Sequence, residues 1–321
     1  MRVLITGGAG FIGSHLCERL ISDGHQVTAL DNFSTGRGSN LANLSTSNRF
    51  TLVEGSILDS TILNLLVKEA DYVFHLAAAV GVFNIVNNPL ASLLTNIRGT
   101  ENILEAAHAT RTPVFLTSSS EVYGKNISDS LKESDDRILG SPVTLRWSYS
   151  EAKAIDESLA YAYFIEKQLE TRIVRFFNTV GPRQLGAYGM VVPRFVKSAI
   201  ANEPITIYGD GNQTRCFAHV YDVIDAVISI AFADNTVGKV INIGNDFEIS
   251  INGLAQKIIA ETGSKSEIVY VPYEEAYGDG FEDMERRVPN IELINQLVGW
   301  KPKRDLTTII ADISEEMKKC S

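Results

Sequence analysis

The stretch RVLITGGAGFIGSHL, residues 2–16, joins a short apolar, β-branched run to a glycine-rich turn and then to a helical pattern. Gly7, Gly10 and Gly13 are spaced three apart at that junction. Glycines there permit a tight turn and close approach of backbone to a ligand. The helix behind them offers free N–H groups and partial positive charge to a pyrophosphate. The spacing is G-x-x-G-x-x-G, and such a triplet alone also serves plain strand-to-helix connections. Here a strand precedes it, a helix over Phe11–Ser22 follows, and Asp31 closes the second strand, QVTALD. A carboxylate at that point accepts hydrogen bonds from ribose hydroxyls and repels a 2′-phosphate, which predicts NAD rather than NADP. The plainer reading of Asp31 is a solvated strand end.

Past this turn, QVTAL, FTLVEG, DYVFHLA, a helix over residues 90–109 and PVFLTS alternate, and a helix opening near Tyr149 leads into TRIVRFF. The alternation predicts βαβ units in a doubly wound parallel Rossmann sheet of the α/β class. Beyond Asn178 glycine and proline punctuation increases (NTVGPRQLGAYG, YGDGNQ), which predicts a smaller C-terminal α/β lobe for substrate. A helix over residues 220–233 followed by KVINIG reads as chain returning to the first lobe. The expected division is residues 1–178 with 219–246 for the dinucleotide, and 179–218 with 247–321 for the substrate.

With 321 residues, 45% of them hydrophobic, the chain is long enough to bury two modest cores. No apolar run reaches membrane-spanning length and the first residues read as a strand rather than a targeting segment, so a cytoplasmic protein with no membrane contact is expected. Cys17, Cys216 and Cys320 are too scattered for a disulfide framework, the five histidines show no paired ligand spacing, and no metal is expected. A formal net charge of -10 argues against non-specific binding of nucleic acid, while local arginines remain able to hold a small anion.

Tyr149 and Lys153, four apart in a helical stretch, share a face, and the ammonium can lower the phenol pKa. A phenolate so formed is a usable base near neutrality. With 11 tyrosines such a pair is cheap by chance, and Tyr163 with Lys167 makes a second. On one continuous helix the two tyrosines lie roughly 21 Å apart, so one pair alone can serve a given site. Tyr149 follows a loop, where a ligand can reach it; Tyr163, in YAYF, reads as packing or interface surface.

TGGAGFIG, TSSSEVYG, Tyr149 with Lys153, and FFNTVGPR resemble the extended short-chain dehydrogenase/reductases, the NAD-dependent epimerase/dehydratase family that modifies nucleotide sugars. The likeness runs on through YGDGNQTRCF to the closing GW-P. It implies that Ser119 joins Tyr149 and Lys153, that Tyr149 takes a sugar hydroxyl proton while NAD accepts the hydride, and that Lys153 also holds the nicotinamide ribose. It further implies Phe11, Ile12, Asn32, Ser34, Ile57, Leu76, Ala77 and Ala78 as cofactor contacts. Asn178, Arg215 and Arg287 become candidates for gripping UDP together with Ser119 and Ser120, with Arg286 a doubtful neighbour. Ser56 stands where relatives often carry an Asp near the adenine. Family members are commonly homodimers through two long helices, here residues 90–109 and the helix containing LAYAYF.

Glu121 narrows the reaction. Within the family it resembles the carboxylate of UDP-glucuronate decarboxylases and of 4,6-dehydratases, whereas simple 4-epimerases often lack one. RWSYSEAK and QTRCF are similar to bacterial decarboxylase segments, the second carrying a catalytic arginine at the Arg215 position; EDMERRVPNI resembles a UDP-xylose synthase tail. Both decarboxylase groups usually have Thr at the Ser119 position, and Asn290 replaces the tail Asp. UDP-glucuronate decarboxylation is therefore the leading expectation, with Arg215 or a water near Glu121 returning the proton. A UDP-sugar 4-epimerase and a 4,6- or 5,6-dehydratase are the alternatives, and a silent NAD-sensing protein would not need the Tyr149–Lys153 pair. Structural readings also stand: Glu121 bonding loop backbone, Ser118 and Ser120 as turn hydroxyls, Arg215 simply pairing with pyrophosphate.

Overall fold

The computed structural model describes residues 1–81, 85, 87–186, 190–272, 275, 284 and 286–319. Cys320, residues 187–189 of the NTVGPRQLGAYG stretch, and Glu282, Asp283 and Glu285 of the tail motif lie outside the described residues.

Seven strands form the main sheet: β1 (Arg2–Thr6), β2 (Gln26–Asp31), β3 (Phe50–Glu54), β4 (Tyr72–His75), β5 (Val114–Ser119), β6 (Thr171–Phe176) and β7 (Val240–Ile243). Their order is β3-β2-β1-β4-β5-β6-β7 and every pairing is parallel. Parallel strands need crossovers, and the crossover helices cover both faces, so the central strands read as nearly unbroken apolar runs. On one face Leu16 and Leu20 of the Phe11–Ser22 helix meet Val223 and Val227 of the Val220–Ala231 helix. On the other, Leu63, Ile103, Leu104 and Ala160 join helices Ser60–Glu69, Pro89–Thr110 and Ser148–Lys167. The Pro89–Thr110 helix exceeds the sequence expectation by one residue at each end, with Pro89 in the first turn, where its missing N–H costs no helical bond. The Val220–Ala231 helix stops two residues short of its expected end. The Thr236 hydroxyl donates to the Ile230 and Ala233 carbonyls at 2.7 and 2.6 Å and closes the helix there.

A second core, built around Phe195, Ile207, Leu254, Ile258, Ile309 and Ile313, lies among helices Val191–Ala201, Ile251–Thr262 and Leu306–Lys319. It covers a small parallel pair, Ile205–Tyr208 with Ile268–Val271. Asp222, at the start of the Val220–Ala231 helix, ties the approach to the last helix down. Its carboxylate accepts from the Lys303 and Arg304 amides at 2.9 and 2.8 Å and from Arg304 Nη1 at 2.5 Å, and its carbonyl accepts from Trp300 Nε1 at 3.0 Å. Only 1% of Asp222 is exposed, and truncation would take the acceptor from the Lys303 and Arg304 amides and from the Arg304 guanidinium while leaving the carbonyl to Trp300. Asp222→Ala is expected to lower the urea unfolding free energy by about 3 kcal/mol; a loss under about 1 kcal/mol would mean water replaces the carboxylate there.

Candidate active site

All strands of the sheet run one way, so the loops leaving their C-terminal ends meet along one edge, where open α/β sheets hold ligands. A cleft of about 760 Å³ lies there. The first turn contributes Gly7, Gly10, Phe11, Ile12 and Gly13; the loops after β2 and β3 add Asp31, Asn32, Ser34 and Ile57. Leu76, Ala77 and Ala78 follow β4, Ser119 ends β5 with Ser120 and Glu121 just past it, Asn178 follows β6, and the Ser148–Lys167 helix adds Tyr149 and Lys153. Arg215 and Arg287 close the cleft from the later part of the chain.

The dinucleotide end follows from backbone geometry. Gly7 has φ +74°, and a Cβ on Gly13 would stand 2.1 Å from the Gly7 carbonyl oxygen, so neither position admits a side chain without rebuilding the turn. No side chain caps the Phe11–Ser22 helix, which keeps its first-turn N–H groups available to an anion. Asp31, 8% exposed, is oriented by the Ala9 amide on Oδ2 at 2.9 Å and the Phe33 amide on Oδ1 at 2.8 Å. It is a positioned carboxylate rather than a solvated strand end. The Ser56 hydroxyl is turned into its own loop, accepting from the Leu58 amide at 3.1 Å. These residues fit NAD: the turn leaves room for a pyrophosphate, and Asp31 is held where a ribose would need acceptors.

At the other end Ser119 and Tyr149 line the same part of the cleft, Ser119 acting to lower the phenol pKa, and the Ser119 Oγ accepts from the Glu121 amide at 3.3 Å. Lys153, 2% exposed, donates to the Thr117 carbonyl at 3.0 Å and to Asp156 Oδ2 at 3.1 Å. Burial works against its ammonium, but Asp156 and Tyr149 outweigh that and hold the lysine pKa above its ordinary value. One expectation is corrected here. Burial pushes the Tyr149 phenol up, Lys153 opposes it, and Glu121 and Asp156 add to the rise, so the net direction is upward. Tyr163 and Lys167 lie on the same helix; Tyr163 meets His108 edge-on at 6.0 Å and packs into the core of that face.

Glu121 does not bond loop backbone through its carboxylate. Arg146 Nη1 and Nη2 donate to its two oxygens at 2.6 and 3.2 Å, and Arg287 Nη2 lies 2.9 Å from Oε1. Burial alone would raise this carboxyl, but Arg287 and Arg146 overcome it and hold it at about 2. Arg287 also donates to Ser120 Oγ at 3.3 Å. Arg215 lies instead on the Thr214–Cys216 strand with Nη1 donated to the Thr214 carbonyl, and the guanidiniums that grip Glu121 are Arg146 and Arg287. Asn178 faces the same strand, donating to the Cys216 carbonyl at 3.0 Å. Arg286 does not line the cleft; it forks onto Glu248 at 2.8 and 2.9 Å and reaches the Asp129 carbonyl.

Behind the loop, the Ser118 hydroxyl donates to Glu157 at 2.5 Å, Arg175 forks onto the same carboxylate, and the Arg175 guanidinium lies 4.7 Å from the Tyr123 ring centre. Ser118 is thus a strut, not a loose turn hydroxyl. Arg146 and Asp156 were absent from the sequence-based expectations. Their signal was positional: Arg146 is three residues before Tyr149, and Asp156 falls three after Lys153, on the same helix face.

The chain is 42% identical over 302 residues, 94% of its length and 92% of the relative's, to a UDP-N-acetyl-alpha-D-glucosaminuronate decarboxylase of Bacillus cytotoxicus. It is 36% identical to UDP-glucuronic acid decarboxylase 1 of Xenopus tropicalis over 94% of this chain and 68% of that one. Among solved structures, a UDP-glucuronic acid 4-epimerase from Bacillus cereus, in complex with UDP-glucuronic acid and NAD, superimposes with a TM-score of 0.90 at 28% identity, covering 100% of both chains. A family model described as GDP-mannose 4,6 dehydratase matches residues 4–313. The agreement spans both ends of the cleft and nearly the whole chain, and the protein belongs to this family of NAD-dependent enzymes that modify nucleotide sugars.

Proposed function

We propose that the protein decarboxylates a UDP-linked uronic acid at C6 after transient oxidation at C4, with NAD returned to its starting state, which makes it a lyase. The observation that carries this reading is the Arg146–Glu121–Arg287 cluster beside Ser119 and Tyr149: two guanidiniums set N–H donors suited to a carboxylate at the sugar end. A uronate brings the matching negative charge, and a neutral hexose does not. The relatives named for UDP-glucuronate and for its 2-acetamido counterpart support the same class, and the substituent at C2 is the feature on which the two substrates differ.

NAD, when bound, supplies a reversible hydride acceptor for C4. Gly7, Gly10 and Gly13, with Phe11 and Ile12, would hold its pyrophosphate, Asp31 with Asn32 and Ser34 its adenosine ribose, and Ile57, Leu76, Ala77 and Ala78 its apolar flanks. Tyr149 takes the C4 hydroxyl proton, with Ser119 beside it in the cleft and Lys153 charged one helical turn away. Once C4 is a ketone, the C6 carboxylate belongs to a β-keto acid and CO2 departs, leaving an enolate over C4 and C5. Arg287 and Arg146 hold that negative charge near Glu121, and a water held near Glu121 gives a proton to C5, its hydroxide being neutralised by solvent, before C4 is reduced and Tyr149 returns its proton to the C4 oxygen. Asn178, Ser120 and Arg215 hold the remainder of the nucleotide sugar, Arg215 as a diphosphate contact.

Residues 1–178 with 219–246 act as the dinucleotide lobe, and 179–218 with 247–321 as the substrate lobe. Exposed Ile155, Tyr161 and Ile165 on the Ser148–Lys167 helix and Leu90 on the Pro89–Thr110 helix support a homodimer built on these two helices. Among the described residues no helix is long and apolar enough to cross a membrane, and Cys17 and Cys216 are buried free thiols, in keeping with a reducing compartment such as the cytoplasm.

Proton NMR of the protein with NAD and UDP-glucuronate, and separately with the 2-acetamido uronate, is expected to show the corresponding UDP-pentose, with an equal amount of CO2 trapped from the same reaction. A C4 epimer with the carboxylate retained would establish the epimerase instead. Tyr149→Phe is expected to cut turnover about a thousandfold while NAD remains bound; near-normal turnover would remove Tyr149 from the reaction. The Glu121 clamp predicts a pH dependence of stability. Its folded pKa lies below the ordinary 4.5, so its contribution is fully present above that value and is lost as pH falls through about 2. Glu121→Gln is expected to unfold in urea about 3 kcal/mol more easily than wild type near neutrality, with the gap narrowing as the pH is lowered. A gap independent of pH would mean the carboxylate is not held ionised by the two arginines.

A further inference from the structure

The Ser148–Lys167 helix carries Tyr149, Lys153 and Asp156 on one face, at i, i+4 and i+7. Asp156 is 0% exposed, and its Oδ2 lies 3.1 Å from Lys153 Nζ. An ammonium has three N–H donors. Thr117 takes one at 3.0 Å and Asp156 another, leaving one for a ligand in the cleft. Satisfying Lys153 does not demand a second charge at this depth, where a carboxylate stripped of water is costly.

From the opposite helix Thr100 acts to lower the Asp156 pKa, and Thr100 Oγ1 lies 3.3 Å from His75 Nε2, whose Nδ1 meets Thr6 Oγ1 at 2.7 Å. A line of buried polar groups thus runs under the cleft from β1 to Lys153.

We propose that Asp156 is a positioning residue: it fixes Lys153 under the cleft and, by its charge, sets the pH at which Tyr149 becomes a phenolate. This rests on the reading of Tyr149 as the proton acceptor. The groups facing Asp156 are Lys153, Tyr149 and Glu157 from its own helix, Thr100 from the Pro89–Thr110 helix, and His75 behind it on β4; Glu121 acts on Tyr149 from the loop after β5. His75 is held neutral by burial and by Lys153, at about 3, and Glu157 is occupied by Arg175 and Ser118. Lys153 therefore draws the phenol down, while Asp156 and Glu121 push it up. Asp156 also keeps Lys153 charged, so removing its charge releases both groups in the same direction.

The test is a tyrosinate absorbance titration of the NAD-loaded protein, taken as the difference between wild type and Tyr149→Phe, and repeated in the Asp156→Asn background. Asparagine keeps the shape and an acceptor for Lys153 while removing the charge. The Tyr149 transition is expected to move to lower pH by about one pH unit. Both limbs of the pH–rate profile are expected to follow, the acid limb through Tyr149 and the alkaline limb through Lys153. An unmoved Tyr149 transition, with or without a lower melting temperature, overturns the proposal and leaves Asp156 a packing residue. If the asparagine variant does not fold, Asp156→Ser makes the same neutral change with less bulk and is read in the same way. The titration needs no sugar and no turnover, so a failure to decarboxylate uronates would overturn the proposed function without touching this result.

Discussion

A sheet whose seven strands all run the same way brings every strand's C-terminal end to one edge. Everything else about the site depends on that constraint. Gly7, Asp31, Ser119 and Asn178 lie at or just past the ends of β1, β2, β5 and β6, and become neighbours because parallel strands oblige the chain to return across a face before starting each new one. The helix carrying Tyr149 and Lys153 is the crossover between β5 and β6, so its first turn opens on the same edge. Residues 7 to 178 thus form one wall without any of them being chosen for proximity in sequence. The facing wall comes from the later chain, through Arg215 and Arg287.

The second constraint is the cost of burying charge. Glu121 with Arg146 and Arg287, Lys153 with Asp156, and Glu157 with Arg175 are all ion pairs at or under the cleft. A buried pair adds little net stability against an apolar replacement, but breaking one by removing a partner is expensive. Such pairs fix geometry. The Glu157–Arg175 fork holds Ser118 and stacks under Tyr123, which keeps the loop after β5 from relaxing away from Tyr149. In this sense the hydroxyl run TSSSE is divided by direction. Thr117 and Ser118 face inward to the support, with the Thr117 hydroxyl on the His75 carbonyl, while Ser119 and Ser120 face Tyr149 and Arg287.

What could be read from the sequence was what depends on local chemistry. A glycine whose Cβ would strike a carbonyl, or a tyrosine and lysine one helical turn apart, carries its meaning in its immediate neighbours. The first turn, Asp31 and the Tyr149–Lys153 pair were legible for that reason, as was the alternation that demands a parallel sheet. The partners of Glu121 were not. Arg287 is 166 positions further along the chain, and Arg146 lies in a short turn before the helix, where no periodicity marks a direction. The direction of the Tyr149 pKa was also out of reach, because it is decided by how deeply the phenol is buried and by two carboxylates, not by Lys153 alone.

Glu121, held at about 2, is ionised throughout the physiological range and has no proton to give in this arrangement. Guanidiniums are no better as donors, since they stay protonated at any working pH. On the proposed reaction this places the carboxylate's first role in orientation: it holds Arg146 and Arg287 together at one end of the cleft. A uronate entering that end competes with Glu121 for the same N–H groups, and every donor it takes removes one of the interactions that hold Glu121 down. Burial, which opposes ionisation of Glu121, then gains weight and moves its pKa upward. On the proposed reaction, the same substrate charge that the arginines attract loosens their hold on Glu121 beside the C5 carbon. A neutral hexose, bringing no anion, would leave the clamp closed.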